Sequence, residues 1–180
     1  MIQDINQISN FLDDDVYLEL LDYVAKITYD EEFPGWKLVG KSNIQSPSLF
    51  WNKDVLDEPL FSEKIFSISK QKIHNLFGEN VKLSSVYFNG QTFGQQGYIH
   101  PDEFDESYRT LLMYCNLTKE WNKNWGGGTI FDYGDKTEIV MPNYNSAVYF
   151  KSCIFHAAQS MSPLCKELRV SLAYKLKLED

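Results

Sequence analysis

A histidine and an aspartate two positions apart, His100 and Asp102, are the first residues whose types and spacing could perform chemistry. Side chains at positions i and i+2 of a strand project from the same face, so these two groups can meet at one point. His156 is a candidate third ligand, because it follows the run SAVYFKSCIF, which a neighbouring antiparallel strand could bring alongside. Two histidines and one carboxylate on one side of an ion are typical of non-haem Fe(II) sites that leave positions for a co-substrate and dioxygen. A closed structural zinc site has no such open positions.

An arginine and a serine later in the chain extend this candidate site. Arg169 lies 13 residues after His156 (169 minus 156), and Ser171 follows two positions later on the same strand face. A guanidinium that points into a pocket requires an anion, and its planar fork fits a carboxylate in a bidentate manner. The chain has only one other arginine, Arg109, and this scarcity does not by itself distinguish the two. We therefore predict that Arg169 binds a carboxylate.

Two helices are predicted to precede the strands that carry these residues. Three aspartates at 13–15 offer N-capping carboxylates, and apolar residues then recur at helical spacing. These residues are Val16, Leu20, Tyr23, Val24 and Ile27. A second helix is predicted to begin near Pro59 and to end before Gly78, with His74 close to its carboxyl end.

Short β-rich runs follow Gly78 and are separated by Gly, Asn, Asp and Pro. The runs are VKLSSVYF, TLLMYCN, TIFDY, TEIVM, SAVYF and RVSLAYKL. This pattern predicts an antiparallel sandwich or barrel, with the two helices covering one outer sheet face. In the last run, apolar side chains alternate with others that begin with Arg169, Ser171 and Ala173, and this second face suits the wall of a polar pocket.

Composition narrows the classes of partner. The net charge of -8 argues against binding to nucleic acid or anionic lipid, because phosphate binding needs a basic surface. The 3 cysteines form no C-x-x-C pair, which indicates reduced thiols. The sequence contains neither a targeting pattern nor an apolar stretch that approaches the ~18 residues of a membrane span. We expect a cytoplasmic protein with a small-molecule, peptide or basic protein partner.

The ordered motifs resemble those of the 2-oxoglutarate and Fe(II)-dependent oxygenases, and within these the prolyl 4-hydroxylase-like branch. The series is Asn89-Gly90, Gly94, Gly97, His100-x-Asp102, LLMYCN, Trp121, WGGGTIF, His156 and RVSLAYKL. The similarity covers residues 80–178, and FLDDDVYLELLDYV resembles the family's leading helix. The resemblance implies a mostly β fold with N-terminal helices and a double-stranded β-helix core, also called a jelly roll or cupin-like fold. We expect a single domain over 1–180, with a largely helical support at 1–79 and the jelly-roll core at 80–178.

The resemblance also implies roles for individual residues. Three would bind Fe(II) and form the catalytic centre, namely His100, Asp102 and His156. Four would bind the cosubstrate 2-oxoglutarate, namely Arg169, Tyr114, Ser171 and Tyr87. Tyr114 begins a run that matches the family's Tyr-Leu-Asn, with Cys115 in place of the leucine. Lys166, 10 residues after His156 (166 minus 156), competes with Arg169 for the carboxylate, but its segment reads as a loop.

The activity that the resemblance implies is hydroxylation of an unactivated C–H bond with dioxygen and 2-oxoglutarate, with ascorbate as a candidate further cofactor. The preferred substrate is a proline in a peptide or protein. A free amino acid, another side chain or another small molecule is the alternative. A non-catalytic jelly-roll binding module is the alternative from another class, and the presence of all three candidate ligands disfavours it. The acidic charge disfavours a nucleic-acid demethylase of the same superfamily.

Overall fold

The computed structural model of this protein describes residues 5–33, 35–40 and 49–179. In chain order the elements are β1 (Ile5–Ser9), α1 (Asp14–Tyr29), β2 (Lys37–Gly40), β3 (Leu49–Asp54), a π-helical turn (Leu60–Ile65), α2 (Phe66–Phe77), β4 (Val81–Gln91), β5 (Tyr108–Tyr114), a 3-10 turn (Lys123–Trp125), β6 (Thr129–Asp132), β7 (Thr137–Val140), β8 (Ser146–Lys151), β9 (Phe155–Ala158) and β10 (Arg169–Leu178). Within these residues, a seven-stranded sheet has the order β1-β8-β5-β10-β4-β3-β2, and a three-stranded sheet has the order β7-β6-β9. All these strand pairs are antiparallel.

Helix α1 forms where the sequence predicts it. Asp13 is the N-cap residue with extended backbone, and Asp14 and Asp15 lie in the first turn, where carboxylates interact favourably with the helix dipole. The buried face contains Tyr17, Leu20, Tyr23, Val24 and Ile27. This face packs into the main hydrophobic core, which confirms the predicted amphipathic helix.

The second predicted helix begins as a π-helical turn and continues as α2. Its buried side chains include Phe61, Ile65 and Ile73. Gly78 ends the helix with a left-handed backbone (φ 70°), and its N–H donates to the carbonyl of His74. A glycine adopts this conformation without steric cost, as the sequence predicts for a helix stop signal. No helix among the described residues is long and apolar enough to cross a lipid bilayer.

The two faces of the large sheet have different neighbours. The alternate β10 residues Val170, Leu172 and Tyr174 are buried with both helices in the main core. Ala173 is on the opposite face and belongs to a second apolar cluster with residues of the small sheet, such as Phe131. The helices therefore cover one outer face of a jelly-roll core, which confirms the predicted fold class.

Four strands were not predicted from the sequence. β1 pairs with β8, and β2 pairs with β3, which pairs with β4, so the first 79 residues contribute strands to the large sheet as well as helices. β9 is the fourth of these strands, and it pairs with β6 so that His156 lies opposite Phe131. The small sheet therefore carries one of the three predicted metal ligands.

Candidate metal centre

The three predicted ligands converge between the two sheets. Each of His100, Asp102 and His156 offers one ligand atom, and these atoms lie within 4.8 Å of one another. His100 Nε2 is 3.8 Å from Asp102 Oδ1, and His156 Nε2 is 3.4 Å from Asp102 Oδ2. The sequence spacing thus brings two imidazoles and one carboxylate to a single point.

Backbone hydrogen bonds place these side chains. His100 and His156 form an isolated antiparallel bridge, in which each N–H donates to the other residue's carbonyl, at 3.0 and 2.9 Å. Asp102 lies outside any strand, and its N–H donates to the carbonyl of Ser152 at 2.9 Å. Because Asp102 is not in a strand, the argument that positions i and i+2 share one strand face does not explain its position. The hydrogen bond to Ser152 instead directs Asp102 towards His100.

The tautomers of both histidines follow from their hydrogen bonds. His100 Nδ1 lies 2.8 Å from the carbonyl of Tyr98, and His156 Nδ1 lies 2.9 Å from the carbonyl of Ile154. A carbonyl only accepts, so each Nδ1 carries a proton, and in the neutral form of each imidazole Nε2 presents its lone pair towards Asp102. Burial lowers the pKa of His156 and outweighs the opposing effect of the Asp102 carboxylate, so this imidazole is neutral, as a metal ligand must be. The donor set fits Fe(II).

Asp102 is held in its ionised form by a lysine that sequence analysis did not single out. The Nζ of Lys175 forms an ion pair with Asp102 Oδ2, and Thr110 Oγ1 donates to the same oxygen at 2.7 Å. Burial alone would raise the pKa of Asp102, but the charge of Lys175, the charge that His156 acquires at low pH and the hydrogen bonds from Lys175 and Thr110 lower it to about 2. Asp102 is therefore a carboxylate at neutral pH.

Arg169, which lines the same cavity as the three ligands, is buried and 2% exposed. It donates to four oxygens, namely Gly127 O at 2.5 Å, Gln91 Oε1 at 3.0 Å, Thr129 Oγ1 at 3.0 Å and Ser171 Oγ at 3.5 Å. All four acceptors are neutral. No carboxylate among the described residues forms an ion pair with Arg169. Burial lowers the pKa of Arg169, which shows that the surroundings do not compensate its charge fully. An anionic ligand would supply that compensation.

A glycine allows the backbone to approach Arg169 closely. Gly127 has a φ of +74°, and a Cβ at this position would lie 2.5 Å from Met161 Sδ and 3.3 Å from Arg169 Cδ. Only a glycine fits this conformation and this space without displacing its neighbours. The Gly127 carbonyl is thereby brought to Arg169 Nε.

A cavity of about 410 Å³ connects Arg169 with the three ligands. Its described lining includes Tyr87, Ser171 and Lys175 but not Tyr114. The volume lies within the range of small-molecule pockets. Lys166, the competitor of Arg169, is exposed in the loop before β10 and is not part of this lining.

Tyr114 lies behind the cavity wall. It is fully buried, its hydroxyl donates to Thr129 Oγ1 at 2.8 Å, and its ring centroid is 5.6 Å from Arg169 Cζ. Burial raises the pKa of Tyr114, so the phenol remains protonated and can donate. In this structure Tyr114 supports the residues around Arg169, and its contact with the cosubstrate stays a prediction.

The residues missed at the sequence level are Lys175, Thr110, Gln91 and Thr129. The alternation of β10 could have indicated Lys175, because Lys175 shares the strand face of Arg169 and Ser171. By the same alternation, Gln91 shares the face of Tyr87 on β4. No sequence pattern indicates that Thr110 and Thr129, on different strands, point towards the same cavity.

Comparisons with known proteins find similarity in the fold. No family model and no curated protein matches the sequence. Among solved structures, a 2OG-Fe(II) oxygenase family oxidoreductase from Burkholderia pseudomallei has a TM-score of 0.72 at 13% identity, covering 97% of this chain and 85% of that one. A Pseudomonas putida prolyl-4-hydroxylase has a TM-score of 0.69 at 17% identity, and the match covers 98% of this chain and 94% of that one. HygX from Streptomyces hygroscopicus has a TM-score of 0.69 at 9% identity, and the match covers 97% of this chain and 82% of that one. That structure contains nickel, 2-oxoglutarate and hygromycin B.

Proposed function

We propose that this chain, which has the fold of the 2-oxoglutarate and Fe(II)-dependent oxygenases, is an Fe(II)- and 2-oxoglutarate-dependent dioxygenase that hydroxylates an unactivated C–H bond. The observation that carries the proposal is one cavity lined by a His-Asp-His cluster and by a buried arginine that has no carboxylate partner among the described residues. The first feature suits Fe(II), and the second suits an acid that reaches the metal. Fold similarity at these identities does not by itself extend to activity.

In this proposal His100 and His156 would hold Fe(II) through Nε2, and Asp102 would hold it through one carboxylate oxygen. Arg169 would bind the distal carboxylate of 2-oxoglutarate, with Ser171 as a further donor. When bound, Fe(II) would supply the positions at which 2-oxoglutarate and dioxygen meet. In the overall reaction, 2-oxoglutarate, dioxygen and a C–H bond give succinate, carbon dioxide and an alcohol.

The chain's own contribution is to orient the reactants and to exclude water. Carbonyl acceptors fix the ring orientation of both histidines, and burial keeps His156 neutral. The Gly127 carbonyl, Gln91 and Thr129 fix the guanidinium of Arg169 before a ligand arrives. Pre-ordering of these groups reduces the entropy that ligand binding would otherwise cost.

For the substrate we propose a proline in a peptide or protein. The prolyl-4-hydroxylase among the similar structures supports this, because this chain covers 94% of it, so the two proteins have nearly the same extent. A second candidate is a small polar molecule. The wall formed by β3 and β4 presents Asn52, Asp54 and Asn89 to the cavity, which suits a ligand with several hydrogen-bonding groups. HygX, with its bound hygromycin B, supports the same alternative.

The proposed cofactor chemistry is tested by anaerobic titration of metal-free protein with Fe(II) and then 2-oxoglutarate. Chelated 2-oxoglutarate is expected to give a weak visible charge-transfer band. His100→Ala should abolish the band, because it removes one of three ligands. His74→Ala is the matched control, since His74 is exposed on α2 outside the cavity. Folded wild-type protein that binds iron without a band would reject the proposal in favour of a binding module.

The substrate is tested with the same protein in air. Proline-containing peptides and free small molecules are compared by the succinate that each elicits, and products are identified by a mass gain of one oxygen atom. Stimulation by peptides that disappears when proline is replaced by alanine would support the first candidate. Stimulation only by free small molecules would support the second. Omission of ascorbate during repeated turnover tests whether that cofactor is required.

A further inference from the structure

We propose that Lys175 is a positioning residue of the metal centre. Its ammonium holds Asp102 Oδ2 so that Oδ1 is left for the metal, and its charge makes metal binding depend on an anionic cosubstrate. The inference rests on the proposed function, because the cosubstrate is 2-oxoglutarate. Lys175 lies on β10, on the cavity face, six positions beyond Arg169.

The hydrogen bonds of Lys175 indicate a role in the metal centre and disfavour one as a substrate anchor. An ammonium has three donors. Its acceptors are Asp102 Oδ2 and Thr110 Oγ1 at 3.5 Å, and its Nζ lies 5.9 Å from the centroid of the Tyr87 ring. These two acceptors inside the cavity hold the side chain in place, and a substrate acid would have to compete with the Asp102 carboxylate for the ammonium.

Asp102 Oδ2 is held from two sides. Thr110 Oγ1 donates to it at 2.7 Å, and Ser152 Oγ lies 2.9 Å from that hydroxyl. Since the Thr110 proton goes to Asp102, Ser152 is the donor to Thr110. Oδ1 lies 3.8 Å from His100 Nε2, whereas Oδ2, 3.4 Å from His156 Nε2, already accepts from Lys175 and Thr110, so Oδ1 is the oxygen left for the metal. Such contacts to a ligating carboxylate determine which oxygen the metal receives.

The charge of Lys175 has a second consequence. A divalent cation at the three ligands would lie close to this ammonium and would be repelled by it, while both cations compete for the Asp102 carboxylate. A dianionic cosubstrate on the metal offsets this repulsion. The metal should therefore bind weakly alone and more tightly once 2-oxoglutarate is present.

The test measures the affinity for Mn(II), which is stable in air, by calorimetry with and without 2-oxoglutarate. Lys175→Met removes the charge and retains most of the side chain. Lys177→Met is the matched control, because Lys177 is on the same strand and its ammonium lies over the Tyr108 ring, outside the cavity lining. We expect Lys175→Met to bind Mn(II) roughly tenfold or more tightly when the metal is alone, and to show a smaller gain from 2-oxoglutarate. Lys177→Met should behave as the wild type.

Further variants separate charge from position. Lys175→Gln can still donate to Asp102 without a charge, so it should also bind Mn(II) more tightly, and it replaces the methionine variant if that variant does not fold. Lys175→Arg keeps the charge and should retain the dependence on 2-oxoglutarate. Equal or weaker Mn(II) affinity in folded Lys175→Gln, which keeps a donor to Asp102 and loses only the charge, would overturn the proposal. An unchanged Mn(II) affinity of the wild type on addition of 2-oxoglutarate would instead count against the proposed function, and the metal-only comparison would still decide the role of Lys175.

Discussion

The two arginines of this chain are both buried in the large sheet, yet their surroundings differ. Arg109, on β5, is 7% exposed, and its Nη2 and Nε lie 2.7 to 3.1 Å from the carboxylate of Glu79. Arg169, on β10, is 2% exposed and contacts neutral oxygens. Burial is therefore not what distinguishes a ligand-binding arginine. The distinguishing feature is whether a negative charge of the chain itself already compensates the guanidinium.

Strand alternation accounts for this difference. Thr110 faces the cavity, so its neighbour Arg109 projects from the other face of β5, where Glu79 follows the end of α2. Arg169 projects into the cavity together with Ser171. The first arginine links a helix end to the sheet, and the second provides the proposed site for a ligand.

The largest expected effect is on the stability of the Arg109 region. Arg109→Met leaves Glu79, whose side chain is 13% exposed, without its cation, so the free energy of unfolding should fall by about 3 kcal/mol. Urea denaturation of the metal-free protein measures the change. Mn(II) affinity of the folded fraction should match the wild type, since Arg109 does not line the cavity. A loss of metal affinity without a loss of stability would contradict this assignment.

Arg169→Met should have the opposite profile. The affinity for 2-oxoglutarate in the iron-loaded protein should fall roughly a hundredfold, because charge-assisted hydrogen bonds to the distal carboxylate are lost. Thermal stability without ligands should change little, since the loss of four hydrogen bonds to neutral oxygens is offset by removal of a buried charge. The visible band measures the affinity, and calorimetry measures the stability. Strong destabilisation with normal 2-oxoglutarate binding would show that Arg169 has the same structural role as Arg109.

The smallest effects come from the tyrosine beside each arginine. Tyr149 donates to Glu79 Oε2 at 2.5 Å, and Tyr114 donates to Thr129, which also accepts from Arg169. Replacing either by phenylalanine should lower the free energy of unfolding by about 1–2 kcal/mol. Tyr114→Phe should additionally weaken 2-oxoglutarate binding a few-fold, whereas Tyr149→Phe should not. Equal 2-oxoglutarate affinity in both variants would limit Tyr114 to a structural role.

Much of the fold could be predicted from periodicity. Helix α1 and strand β10 have long apolar patterns with periods near 3.6 and 2, and both were identified. Strands such as β1 and β9 have five and four residues. A run of this length contains too few repeats to show a period, and its pairing with a distant strand determines that it forms a strand.

The candidate site, like the fold, could be predicted in part. His100, Asp102 and His156 were identified by type, order and spacing, and Arg169 by its place at the start of β10. Lys175 was not singled out, because an alternating strand does not reveal where along its length a cavity begins or ends. Contact between Lys175 and Asp102 depends on the pairing of β5 with β10, which places Thr110 opposite Lys175.

The sequence by itself determined the types of ligand and the elements that carry most of them, because residue chemistry and local periodicity are properties of short segments. The tertiary structure alone decided which charges are compensated. Arg109 contacts Glu79, which follows the end of a helix, and Asp102 contacts Lys175 on β10. In the part of the chain that the structure describes, Arg169 contacts neutral oxygens and no carboxylate. Electrostatic compensation depends on distances between residues far apart in the chain, and only the packing of the two sheets and helices sets those distances.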